Sequence, residues 1–253
     1  MAKLPNAPLE EVIFEVRWTL QLAEDTTQMY DAGFELASGR LSTIVEKELP
    51  VYKRIVPSEF PEQLLFYKAV HQYWKAEQTW PVIQLGPGIF TVNCTEDWYD
   101  WGNNYFPFLQ QAVRWLIQAY KQPLQFAFAS LRYIDVMKVS DYGGLQNGWQ
   151  DFIGRHFNIS YQNSFNTRGQ QKQININQVF ELEDGGSLQV QLSDGLRNNE
   201  PALVWQTAVL KKQSFTPDQL IQWADDSHAI THQLFEEMLK PETYASFSRT
   251  NKD

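Results

Sequence analysis

Apolar residues in 126–137 fall on both sides of a two-residue repeat. Phe126, Phe128, Ser130, Arg132, Ile134 and Val136 lie on one side, and Ala127, Ala129, Leu131, Tyr133 and Asp135 on the other. Successive strand side chains point to opposite faces, so this pattern predicts a strand covered on both faces. Arg132 is thereby carried to a place where its guanidinium must find acceptors. Residues 12–20 alternate differently: Val12, Phe14, Val16, Trp18 and Leu20 oppose Ile13, Glu15, Arg17 and Thr19. That predicts a strand with one face in the core and the other wet, with Glu15 and Arg17 able to pair on the wet face or to line a binding groove.

The remaining pattern fills in an α+β plan. Residues 29–49 predict a helical segment, and 52–56 and 65–76 predict short β runs broken by Pro57 and Pro61. Residues 80–95 predict a hairpin, with Pro87 and Gly88 placed for a type II turn. No lysine or Ser/Thr follows at phosphate-loop spacing. From Trp98 to Tyr120, apolar residues recur at three- and four-residue steps and predict a long helix. The glycine-rich stretch 139–149 is the expected joint between residues 1–140 and 141–253, an N-terminal α+β half and a C-terminal half of β-meander plus helix. A short helix is expected over 150–157. Three strands follow at 173–182, 187–193 and 202–211, turning at Asp184-Gly185-Gly186 and Asp194-Gly195. Antiparallel sheets packed by long amphipathic helices result, in two halves of similar plan; the same plan fits one continuous domain or a duplication.

The last helix has a well-marked start: Thr216 as cap, Pro217 in the first turn, Gln219 completing a capping box, and Phe215 with Leu220 as a hydrophobic staple. It is expected to stop at Pro241. On it, Asp225, His228, His232 and Glu236 recur at steps of three and four and fall in one angular sector. Two histidines four apart have the spacing of helical zinc sites, but Ala229 stands where a zincin needs its glutamate. No metal site or cofactor is therefore expected. A hydrogen-bonded structural imidazole, a recognition role and proton transfer all remain compatible with His228. His71, alone among aromatics, is expected to be structural.

Composition narrows the function classes. A formal net charge of −9 and a pI near 5.0 disfavour non-specific nucleic-acid binding, and the nearest basic cluster is Lys211-Lys212. No apolar run has membrane-spanning length, and the first eight residues lack a signal-peptide core. The single cysteine, Cys94, excludes an intramolecular disulfide. A cytoplasmic location is expected. There is no Gly-x-Ser-x-Gly elbow and no sequence-level partner for Cys94.

The segments from Leu4-Pro5-Asn6-Ala7-Pro8 to Val16-Arg17-Trp18, then Ile83-Gln84-Leu85-Gly86-Pro87-Gly88, Val92-Asn93, Tyr99 with Trp101, and Leu131-Arg132-Tyr133-Ile134-Asp135, together resemble a sporadically distributed prokaryotic family of uncharacterised proteins. The resemblance covers most of the first half and, more weakly, the last helix through His228 and Phe235. Asp135 stands where it leads us to expect asparagine. It implies no activity. Its patchy distribution is similar to that of horizontally moved genes, including those of conflict and defence islands, and associates the chain with such loci.

Two functional classes fit these features. One is a non-catalytic binding or accessory protein that recognises a protein partner, a second copy of itself or a ligand through Arg17, Glu15, Arg132, Asp225, His228 and His232. The other is a metal-independent nuclease or related phosphodiester enzyme using His228, His232, Arg132 and Tyr133, with His156 as a further candidate, for general acid–base chemistry.

Overall fold

The strict alternation near the start becomes β1 (Leu9–Trp18), with Val12, Phe14, Val16 and Trp18 buried and Glu15 and Arg17 partly exposed. The computed structural model describes residues 4–22, 29–61, 64–165, 168–169 and 171–249. Residues 1–3 lie outside the described residues. A small ladder of β2 (Gln21–Leu22) and β3 (Met29–Tyr30) precedes α1 (Phe34–Val45). The strands β4 (Val51–Arg54), β5 (His71–Ala76), β6 (Thr79–Gly86) and β7 (Ile89–Cys94) follow. The β6–β7 turn is as expected, with Gly88 at φ +78°, a conformation that glycine adopts without steric cost.

The helix expected from Trp98 begins instead as a π-turn over Trp101–Tyr105, capped by Asp100, whose Oδ1 accepts from Asn103 N at 2.9 Å. It continues as α2 (Phe106–Tyr120), burying Leu109, Ala112, Val113, Leu116 and Ala119. Tyr105 ties this helix entrance to two strands: its hydroxyl accepts from Phe14 N at 3.0 Å and donates to the Val92 carbonyl at 2.7 Å. The central strand is β8 (Phe126–Lys138).

After a short 3₁₀ turn, α3 (Trp149–His156) leads to the meander of β9 (Asn175–Glu181), β10 (Ser187–Arg197) and β11 (Glu200–Phe215). Here the expected turn at Asp194-Gly195 is corrected. Asp194 N donates to the Ile174 carbonyl, and a Cβ on Gly195 would lie 2.8 Å from the Val204 side chain, so both residues belong to the ladder. The chain turns at Asn198-Asn199, whose φ values of +53° and +64° suit a type I′ turn. Asn199→Gly relieves the left-handed strain that remains, and a gain of about 0.5 kcal/mol in a urea titration is the expected outcome.

The last helix, α4 (Pro217–Met238), has the predicted capping box: Thr216 N donates to Gln219 Oε1 at 2.9 Å, and Gln219 N donates to Thr216 Oγ1 at 3.3 Å. Pro241 starts a further short helix, α5 (Pro241–Phe247), consistent with the fit of proline to a first helical turn.

These elements make an α+β protein with five α-helices among the described residues and a nine-stranded antiparallel sheet of order β4-β5-β6-β7-β1-β8-β11-β10-β9. Two compact units interleave in sequence. The hairpin unit holds Val12–Leu131 and Leu210–Asp225; the meander unit holds the chain up to Glu11, Arg132–Val209, and the chain from Asp226. The long elements β8, β11 and α4 contribute residues to both, so the division falls within them. In the meander unit, fully buried Trp205 meets Phe157 edge to face at 5.2 Å amid Met137, Phe152, Val190, Leu192 and Leu239. No helix among the described residues is long and apolar enough to cross a membrane.

Candidate functional site

In the hairpin unit, one sheet face is core and the other carries a polar row. Strand register places Glu15 opposite Thr91, Thr91 opposite Gln84, and Gln84 opposite Gln72. Neighbouring side chains are bonded: Gln72 Nε2 donates to Gln84 Oε1 at 3.2 Å, Trp74 Nε1 to Gln72 Oε1 at 3.2 Å, and Thr91 Oγ1 to Asn93 Oδ1 at 2.7 Å. At its end, Arg17 Nε donates to Glu15 Oε1 at 2.6 Å, and the guanidinium lies 4.8 Å from the Phe128 ring centre and 5.4 Å from that of Tyr67. The Glu15–Arg17 pair expected from the alternation is thus present. Gln72, Gln84, Thr91 and Asn93 were missed; their only sequence signal was a polar residue at alternate positions of otherwise apolar strands.

In the meander unit, the histidines of α4 stand in a row. The Tyr133 hydroxyl lies 2.9 Å from His228 Nδ1, and the His228 and His232 rings are 5.8 Å apart. His232 Nε2 comes within 3.4 Å of Glu236 Oε1 but misses hydrogen-bond geometry, so it is buried without a hydrogen bond. Glu236 Oε1 in turn accepts from the Tyr244 hydroxyl at 2.9 Å. Asp225, placed by its spacing in the same sector, accepts from Trp101 Nε1 at 2.9 Å in the hairpin unit.

Arg132 precedes Tyr133 in β8 and therefore points to the opposite face of the strand. Since Tyr133 touches His228, strand alternation puts Arg132 and His228 on different sides of the sheet. Arg132 Nε is buried without a hydrogen bond. The other histidines are held by their surroundings. His156 Nε2 meets the Tyr142 carbonyl at 3.1 Å and must donate to it, so Nδ1 accepts from Thr243 Oγ1 at 3.0 Å. Burial pulls the pKa of His156 down, partly offset by that carbonyl. His71 Nδ1 lies 2.8 Å from the Tyr52 hydroxyl, and burial, then the nearby Arg54 charge, bring its pKa down to about 4. No cluster of three or more His, Cys, Asp or Glu side chains among the described residues could hold a metal ion.

A concave site lies elsewhere in the meander unit. A cleft of about 680 Å³ is lined by Gln150, Phe157, Asn158, Ser160, Gln162 and Lys240, with their neighbours up to Asn163. Internal bonds shape it: Gln150 Nε2 donates to the Tyr161 carbonyl, and the Tyr161 hydroxyl to Asn163 Oδ1 at 2.8 Å. Asn158 Nδ2 donates to the Glu237 and Leu239 carbonyls at 2.7 and 3.0 Å, fixing the cleft against the α4–α5 junction. Lys240 Nζ makes no ion pair among the described residues. Its sequence signal was the low-charge, amide-rich run 158–163, which composition alone does not separate from a loop. No protein-family model, curated protein or solved structure matches the chain.

Proposed function

We propose that this chain is a non-catalytic binding protein, an accessory factor holding a small polar ligand with an anionic group in the cleft between Gln150 and Lys240. The carrying observation is the chemistry of the lining. Amide residues Gln150, Asn158, Gln162 and Asn163, the hydroxyl residues Ser160 and Tyr161, and Lys240 line it, with apolar Phe157 and Ile159 and with neither carboxylate nor imidazole among the lining residues. General acid–base catalysis needs groups that exchange protons near neutral pH, whereas this set orients and neutralises a ligand. The separation of Arg132 from His228 by the sheet favours binding over phosphodiester cleavage. A prokaryotic conflict locus is the setting that the sequence resemblance associates with such an accessory protein.

The test is native mass spectrometry of the protein purified gently from cells, followed by calorimetric titration with whatever small molecule co-purifies. An intact, stoichiometric ligand is expected. Lys240→Met should weaken it by roughly tenfold or more, the loss of one charge-assisted hydrogen bond, without shifting Tm. A ligand converted to product on incubation, or bound equally well by Lys240→Met, refutes this assignment.

A further inference from the structure

At the end of the sheet, β9 pairs only with β10 among the described residues, so its outer edge meets no other described strand. Residues 177–181 are all exposed, with Val179 at 60% and Phe180 at 47%. Natural edge strands are commonly short or blunted by lysine, proline or a bulge. This one has seven residues, neither lysine nor proline, and an unshifted register.

The hydrogen-bond parity of that edge is fixed. Asp194 N donates to the Ile174 carbonyl and Leu182 N to the Gly186 carbonyl, at the two ends of one continuous register. Even-numbered residues of β9 therefore face β10 with their backbone groups. Asn175, Asn177, Val179 and Glu181 direct their N–H and C=O groups outward.

We propose that β9 pairs antiparallel with β9 of a second copy of this chain, on a two-fold axis through Gln178. In that register Asn177 meets Val179 and Asn175 meets Glu181, all outward-facing residues, so each copy donates and accepts four backbone hydrogen bonds. Ile176 lies opposite Phe180 twice, continuing the apolar face on which Ile176 and Leu188 already pack. Just beyond the strand, exposed Lys172 comes opposite exposed Asp184 of the other copy, again twice. Moving the axis by one residue to Asn177 or Val179 puts Ile174 opposite Phe180 or Ile176 opposite Leu182 instead, and takes Lys172 away from Asp184. Backbone parity thus admits only an axis that passes through a residue, and the charge pair places that axis at Gln178; the occupant that the combination fits is the same strand. This surface is independent of the ligand cleft.

The experiment combines sedimentation of the full chain from about 1 to about 100 μM, the range that reads micromolar association, with cysteine cross-linking. A dimer is expected. Val179→Pro removes an outward N–H without touching the β10 ladder, and should weaken the dimer by roughly 30-fold or more. Gln178→Cys sits on the axis, where facing Cα atoms of a non-hydrogen-bonded pair are about 4.5 Å apart, within disulfide reach. With copper-phenanthroline and oxygen as oxidant it should cross-link quantitatively, while Leu196→Cys, exposed on β10, should not. Cys94 is buried and should not interfere. A monomer throughout that range, a dimer indifferent to Val179→Pro, or a dimer in which Gln178→Cys fails to cross-link overturns the proposal.

Discussion

Asp31→Ala is expected to destabilise the hairpin unit by about 3–5 kcal/mol, read as a lowered urea midpoint in tryptophan fluorescence. Its carboxylate gathers four donors. Oδ2 accepts from Trp18 Nε1 at 3.0 Å, the Tyr120 hydroxyl at 2.9 Å and Gly88 N at 3.0 Å, and Oδ1 accepts from Gly33 N at 3.2 Å. One side chain thus joins the end of β1, the end of α2, the hairpin turn and the start of α1. The packing around it is close: a Cβ on Gly33 would lie 2.8 Å from the Tyr120 ring. The Tyr120 pKa is pushed up by burial first and then by the Asp31 charge, so the phenol stays a donor at any ordinary pH. Alanine leaves an indole N–H, a phenol and two peptide N–H groups without their acceptor in a half-buried place, where each unsatisfied group costs about 1–3 kcal/mol. Tyr120→Phe removes a single bond and should cost only about 1–1.5 kcal/mol. A loss below about 1 kcal/mol in Asp31→Ala would show that water replaces the carboxylate readily.

That cluster also shows why some features were legible in the sequence and others were not. The Thr216–Gln219 capping box and the Pro87-Gly88 turn are local, so residue type and spacing over four positions specify them. The polar face of β1 and the two faces of β8 follow from a period of two. Asp31, by contrast, meets partners 13, 57 and 89 residues away, and nothing around it in sequence marks it. The α4 row was legible in part: spacing brought His228, His232 and Glu236 together, while a distant tryptophan took Asp225. Strand alternation already set Arg132 and Tyr133 on opposite faces, and one contact, Tyr133 with His228, was needed to separate Arg132 from the histidines. The cleft joins a loop amide run to a lysine about eighty residues later, a pairing that no periodicity encodes. At Asp194-Gly195 the composition of a turn was misleading, because glycine there makes room for Val204 across the ladder.

Asp135→Asn is expected to stabilise the protein by about 2–4 kcal/mol at pH 8.5 and to change little at pH 4. Asp135 is 4% exposed and makes no hydrogen bond or ion pair among the described residues, and burial pushes its pKa up to about 8. The unfolded chain releases that proton near pH 3.9, a typical value for aspartate, so between about 4 and 8 the folded state holds a proton that the unfolded state has lost. Stability is therefore greatest below the unfolded value and declines as pH rises, at up to about 1.4 kcal/mol per unit, until the folded group ionises near 8. Relaxation of the surroundings and water entry reduce the full integral, hence the smaller figure. Asparagine, the residue that the sequence resemblance leads us to expect here, has nearly the shape of the neutral acid and does not titrate. His71 works in the other direction: with a folded pKa near 4, against about 6.5 unfolded, it costs stability as pH falls through that interval. In Asp135→Asn the alkaline decline should flatten while the acid decline stays, so unfolding free energies from pH 4 to 9 separate the two groups. Parallel wild-type and variant profiles would mean that Asp135 is already ionised in the folded protein, held by water or by movement of its neighbours.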